Sequence, residues 1–314
     1  MAVKILGDTT MDLSLEMQKE LGITCVPFSI EFGEESKHDT TFTNEEMFEY
    51  NNTHKEICHS SAVNVGELME FFKEQSKDGS DLLYISISSK LSCGYQNAVI
   101  AKEDNPHIYA YDTESFSLGI ALIALKAKEL ADNGKSIPEI IPIIDEYKKN
   151  TCATLMVDDL SFFARGGRIS KVAALGANIL KIKPILSISN GTMSILKKLI
   201  GSSTKKLAKK YVQTVLANYS DIDYSLALVG HTSEKDEGVD EIVSELKAAG
   251  FEKVIVSKTN STNAVHGGPN VYGIAFTTST EPKKKLLDLY MIENMLNSSA
   301  SQSTIKKQAN KNQK

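Results

Sequence analysis

Short apolar runs alternate with amphipathic stretches along the first half of the chain. "AVKIL", "TCVPFSIEF", "LLYISI" and "HIYAY" each read as a strand, compact and rich in β-branched or aromatic residues. Between them, "LSLEMQKELG" and "VGELMEFFKEQSK" place apolar residues at helical spacing, and a further helix opens near Tyr95. A long apolar helix runs from Ser117 to Asp132, where Asn133 and Gly134 end it. "SIPEIIPIIDEYKKN" adds one more helix, with a serine cap and Pro138 in its first turn. Strands and helices in alternation imply a largely parallel sheet covered by helices. Ligands of such sheets bind beyond the carboxyl ends of the strands. Two small, hydroxyl-bearing loops follow strands there, "GDTT" and "SSKLSC".

The pattern changes near Thr151. "ILSISNGTMSIL" alternates apolar and polar residues around Asn190-Gly191, a strong hairpin signal. Strands "SLALVGH", "KVIVSK" and "VYGIAF" follow, with helices over Lys205 to Asn218 and Asp240 to Ala249. The expected fold class is therefore α/β: an N-terminal, largely parallel sheet domain over residues 1–150 and a C-terminal mixed α+β domain over 151–280. Residues 281–314 read as an appendage. "LLDLYMIENML" suits one amphipathic helix, and Asn297 to Lys314 is a polar, basic tail without an acid, whose composition does not pack. Such a tail leaves room for transient contact with an anionic membrane surface.

Composition narrows the function classes. The net charge of −5 provides no large basic surface, so nucleic acid is not an expected partner. The four cysteines, Cys25, Cys58, Cys93 and Cys152, show no CxxC spacing, which suits reduced thiols in a cytoplasm and argues against a disulfide framework or a zinc site. No apolar run is long enough for a signal peptide or a bilayer span, so a cytosolic location is expected. His59, His231 and His266 lie far apart in sequence, and no carboxylate shares a helix face with them, so no metal is expected. "FARGGRISK" is glycine-rich but lacks the spacing of a nucleotide loop.

Five polar segments remain as candidate chemistry: "GDTTMDL", "CHSSAVN", "SSKLSCGYQ", "FARGGRISK" and "NAVHGGPN". The serines of "SSKLSC" suit an anion cradle at a helix N-terminus, and they equally suit plain helix capping. Ser92 with His266 could form a nucleophile and base, as an acyl hydrolase requires, but Ser92 stands in L-S-C-G without the G-x-S-x-G elbow. His266, beside Gly267, Gly268 and Pro269, looks like a residue held on a rigid turn.

Taken in order, these segments resemble the DegV family, which includes the fatty-acid-binding subunits of bacterial fatty acid kinase. The resemblance runs from about Val3 to Phe276 and rests on "GDTTMDL", "VPFSIEFGEESKHD", "SSAVN", "ISSKLSCGYQNA", "YDTESFSLG", "FFARGGRIS", "IKPIL" and "HGGPNVYGIAF". It implies a long-chain fatty acid in a tunnel between the two domains, its carboxylate held by Ser60 and Ser92 with His266 near the head group. Ser61, Cys93, Gly94, Gly267 and Gly268 then belong to the supporting loops. Arg165 and Arg168, in the segment that continues to Ile169, fall at the tunnel mouth or on the surface that meets the kinase. The resemblance implies no catalytic residue and no cofactor in this chain, since the partner kinase brings the ATP site. A distant similarity to the substrate subunit of dihydroxyacetone kinase gives the other reading, a small ketone or sugar as ligand. This chain departs from the family pattern at Ala62, Val63 and Asn64, at Cys93, where a glycine is usual, and at Ala164, where a basic residue is usual.

Overall fold

The computed structural model describes residues 2–54, 57–168 and 182–279. The expected C-terminal helix and tail, and Ile169 of the glycine-rich segment, lie outside the described residues.

In chain order the first elements are β1 (Val3–Asp8), α1 (Leu15–Leu21), β2 (Ile23–Val26), β3 (Ser29–Phe32), β4 (Glu35–His38), α2 (Asn44–His54), β5 (His59–Ser61) and α3 (Val65–Gln75). They continue through β6 (Asp81–Ser86), α4 (Gly94–Ala101), β7 (Ile108–Asp112), α5 (Leu118–Asp132) and α6 (Ile137–Lys149). Strands β2, β1, β6 and β7, in that order, form a four-stranded sheet that is parallel throughout. Capping fixes the ends of these helices: Ser14 caps α1 through the Met17 N–H, Gly22 ends it in a left-handed conformation, and Asn64 with Glu67 builds a capping box on α3.

"TCVPFSIEF", expected as one strand, is two. β2 joins the parallel sheet, whereas β3 lies in a separate antiparallel sheet of order β4-β3-β5. Pro27 falls between them and offers no N–H, so neither ladder runs through it. The helix expected near Tyr95 begins at Gly94.

The second half contributes β8 (Thr151–Met156), α7 (Ser161–Gly166), β9 (Ile182–Ser189), β10 (Thr192–Ile200), α8 (Thr204–Leu216), β11 (Ile222–His231), α9 (Glu237–Ala248), β12 (Lys253–Lys258), α10 (Ser261–Gly267) and β13 (Tyr272–Thr278). Six of these strands form a mixed sheet, β10-β9-β8-β13-β11-β12. The Asn190-Gly191 hairpin forms as the sequence expects: both residues have positive φ, 48° and 74°, and Ser189 faces Thr192.

Helix α5 explains how the two large sheets share a core. Leu118 to Ala124 are buried without a break, as befits a helix covered on all sides, and α5 contacts β1 and β6 of the parallel sheet and β8, β11 and β13 of the mixed one. Its N-terminus therefore sits between the sheets, where the cavity opens. Among the described residues, no helix is long and apolar enough to cross a membrane.

Candidate functional site

A cavity of about 260 Å³ lies at the carboxyl ends of the parallel strands, lined from both large sheets. Its wall is mostly apolar, with Phe28, Ile87, Leu91, Phe116, Leu155, Phe163, Met193 and Val271. Its polar groups include Ser60, Ser61, Ser92, Arg168 and His266.

Each polar residue arrives on a different element. Ser60 is in the middle of β5, paired with Ile30 of β3. Ser92 ends the loop after β6, and its Oγ accepts the Gly94 N–H at 3.2 Å. This hydroxyl thus satisfies one of the orphan amides of α4, while its own proton remains free to donate. Its neighbours have other tasks. The Ser88 hydroxyl donates to the Gly191 carbonyl at 2.9 Å, and the Ser89 N–H to Asp112 at 3.1 Å, which ties the loop to the hairpin turn and to β7.

His266 lies in α10, with Nε2 2.7 Å from Ser60 Oγ. The pairing of Ser92 with His266 that a hydrolase would need is absent, because Nε2 faces Ser60. The other nitrogen, Nδ1, is packed against the backbone of Gly166: a Cβ there would come within 2.4 Å of it. Burial, followed by the charges of Arg168 and His59, lowers the His266 pKa to about 4, so the imidazole is neutral at pH 7. A ring so averse to protonation is poorly suited to serve as a general base.

A buried polar network holds α10 in place, and sequence reasoning missed it. Asp12 accepts the Asn260 N–H at 2.7 Å and the Asn263 side chain at 2.9 Å, and also bonds the Ser117 hydroxyl at the start of α5. Asp39 accepts Thr262 and Thr9, each at 2.7 Å. Asn44 donates to the carbonyls of Thr232 and Thr259 and accepts from Ser261. Burial raises Asp12 to about 7 and both Asp8 and Asp39 to about 6. The only signal in the sequence was a pair of acids in "GDTTMD", between hydroxyls and directly after a strand.

The remaining expected residues divide. Ser61, Cys93, Gly267 and Arg168 line the cavity, whereas Gly94, Gly268 and Arg165 do not. Ser61 donates to Glu31 at 2.6 Å. Gly268 has φ 80° and ψ −177°, backbone that only glycine adopts readily, and a Cβ there would meet the Phe162 ring at 2.5 Å. Arg165 stacks on the same ring, its guanidinium carbon 4.5 Å from the centroid. Arg168 turns inward, donating to the carbonyls of Leu91 at 3.2 Å and Gly166 at 2.6 Å.

The chain is similar in sequence and fold to known proteins. Protein DegV of Bacillus subtilis is 31% identical over 253 residues, 79% of this chain and 89% of that protein. The crystal structure of DegV from Bacillus subtilis, described as a fatty acid binding protein, superposes with a TM-score of 0.76 at 28% identity, covering 89% of this chain and all of that one (100%). A DegV family protein from Thermus thermophilus, described for its fatty acid binding, gives a TM-score of 0.79 at 25% identity, with 88% and 100% covered. The family of uncharacterised proteins named for DegV matches residues 2–279, a span that includes both large sheets and every residue of the cavity wall. The chain is therefore a member of the DegV family.

Proposed function

We propose that this protein binds a long-chain fatty acid in the cavity and presents its carboxylate to a separate kinase, which converts it to an acyl phosphate. The observation that carries this reading is the Ser60–His266 bond of 2.7 Å at a mostly apolar cavity, with the Ser92 hydroxyl in the same wall. An apolar wall suits an acyl chain, each buried methylene contributing about 0.8 kcal/mol. A small ketone or sugar would leave that wall unmatched and need more polar partners.

The neutral imidazole fits the task. With its proton on Nε2, His266 donates to Ser60 Oγ, and the Ser60 O–H is then free to donate into the cavity. Ser92 donates a second hydroxyl, its lone pair already engaged by Gly94. Two hydroxyl donors hold a carboxylate without an ion pair, so one carboxylate oxygen retains its nucleophilic lone pairs. Phosphoryl transfer then joins that oxygen to the terminal phosphorus of a nucleoside triphosphate on the kinase. The bond to the bridging oxygen breaks, and the diphosphate leaves with that electron pair. The solved relatives described as binding fatty acids support the ligand class.

Native mass spectrometry of the protein purified from a bacterial host tests this reading. One long-chain fatty acid per chain is expected, with acyl phosphate formed only when a kinase subunit and ATP are added. Protein that arrives empty and fails to bind added oleate would refute it.

A further inference from the structure

Beside the apolar cavity lies a second hollow of about 500 Å³, whose wall includes Ser89, Lys90, Gln96, Gly167, Arg168 and Thr192. The two share Leu91, Ser92, Cys93, Arg168 and Met193, so Ser92 stands on the border between them. Aspartate and glutamate outnumber lysine and arginine in this chain, 40 to 35, yet among the described residues no acid lines the hollow.

Its two cations hold most of their donors in reserve. Lys90 gives one N–H to the Asn190 carbonyl at 2.6 Å. Its nearest acid, Glu114, is 4.0 Å away and itself lies 3.0 Å from Lys148. Arg168 bonds only the two carbonyls already described, and no carboxylate pairs with it among the described residues. An ammonium has three donors and a guanidinium five, so both can still serve an anion. The Ser89 hydroxyl and the Gln96 amide add neutral donors around them.

We infer that this hollow seats a phosphoryl group, namely that of an acyl phosphate whose acyl chain occupies the cavity. The inference rests on the fatty acid reading and extends it to the product. A carboxylate held at Ser92 has the hollow directly beyond it, so a phosphoryl group joined to its oxygen enters there. That group brings about −1.5 to −2 charges near neutral pH, more than hydroxyls and a neutral imidazole balance. Lys90 and Arg168 supply the missing positive charge, and Lys90 does so without touching the fatty acid's own site.

The test uses the full chain, stripped of lipid, and two ligands of equal acyl length: a fatty acid and a 2-oxoalkylphosphonate, in which a methylene replaces the bridging oxygen of the acyl phosphate. Calorimetry should show that Lys90→Met weakens the phosphonate about tenfold or more and leaves the fatty acid unchanged. Lys90→Glu should weaken it further, and Lys90→Arg should restore it. Equal loss for both ligands, or no loss for the phosphonate, would overturn the inference while the fatty acid reading stands. Wild-type protein that binds neither ligand would overturn both. Lys90 is about half exposed, so these variants should fold, and matching thermal melts will confirm it.

Discussion

Ser60 Oγ and His266 Nε2 are 2.7 Å apart although 206 residues separate them in the chain. Ser60 rides on the short β5 of the antiparallel sheet, and His266 on α10, which packs against β3 and β5 of that same sheet. The bond therefore fixes two distant segments at one end of a common cavity. Its chemistry leads to the first prediction.

Ser60→Ala and Ser92→Ala should each weaken fatty acid binding by about 1.5 to 3 kcal/mol, the scale of a hydrogen bond to a charged group. A fatty alcohol of the same length should bind nearly as before, so both variants should lose the preference for acid over alcohol. The double variant should cost less than the sum, because both hydroxyls serve one carboxylate. Calorimetry with oleate and oleyl alcohol decides this. An intact acid preference in Ser92→Ala would reduce Ser92 to its bond with the Gly94 amide.

The second prediction concerns pH. In the folded protein His266 titrates near 4, below its ordinary 6.5, so between those values the unfolded chain binds the extra proton. His266 then contributes no penalty above pH 6.5, and stability is lost as pH falls from there through 4. The buried Asp8, Asp12 and Asp39 act in the opposite sense, since their raised values let the fold hold protons that the unfolded chain releases. The histidine effect must be isolated by difference. Wild-type stability relative to His266→Gln should fall by roughly 2 to 3 kcal/mol between pH 7 and pH 4 in ligand-free denaturant titrations. A difference that does not vary with pH would contradict a buried neutral imidazole.

These two predictions separate what the sequence displays from what it hides. The parallel sheet was legible because apolar runs such as "LLYISI" are local patterns, and the hairpin because Asn190-Gly191 supplies the positive φ its turn needs. That Ser60, Ser92 and His266 line one cavity could be anticipated only through the order of motifs, not through their own neighbourhoods. The division of "TCVPFSIEF" between two sheets was not visible, since periodicity says which face is buried but not which sheet a strand joins. Nor was the role of Asp12, whose partners Ser117, Asn260 and Asn263 meet it only after folding. Short α7 and α10 escaped for another reason: each is little more than a turn or two, held by tertiary bonds rather than by propensity.

Adjacent glycines give a third prediction. At Gly166 a Cβ would stand 2.4 Å from His266 Nδ1, whereas at Gly167 it would meet nothing within 4 Å but must accept φ +68°. Gly166→Ala should therefore displace the imidazole and impair acyl phosphate formation. Gly167→Ala should cost about 1 kcal/mol of stability through backbone strain and leave fatty acid affinity alone. Melting curves alongside kinase-coupled turnover distinguish the two. Equal activity in both variants would show that His266 tolerates displacement.

The length of acyl chain accepted should depend on another glycine pair. Gly230 of β11 and Gly273 of β13 face each other in register, and both line the cavity. A Cβ at Gly273 would already lie 3.2 Å from Leu155 Cδ2 and 3.4 Å from Leu118 Cδ1, so the branches of a valine must take up space from the cavity. Gly273→Val should consequently weaken stearate more than laurate, by about 0.8 kcal/mol for each methylene it keeps out of the wall. The preference for acid over alcohol should persist, because Ser60, Ser92 and His266 are untouched. Affinities for a saturated series, measured on protein whose melting confirms a folded state, provide the check. A length profile identical to wild type would mean that the acyl chain does not run along the β11–β13 wall.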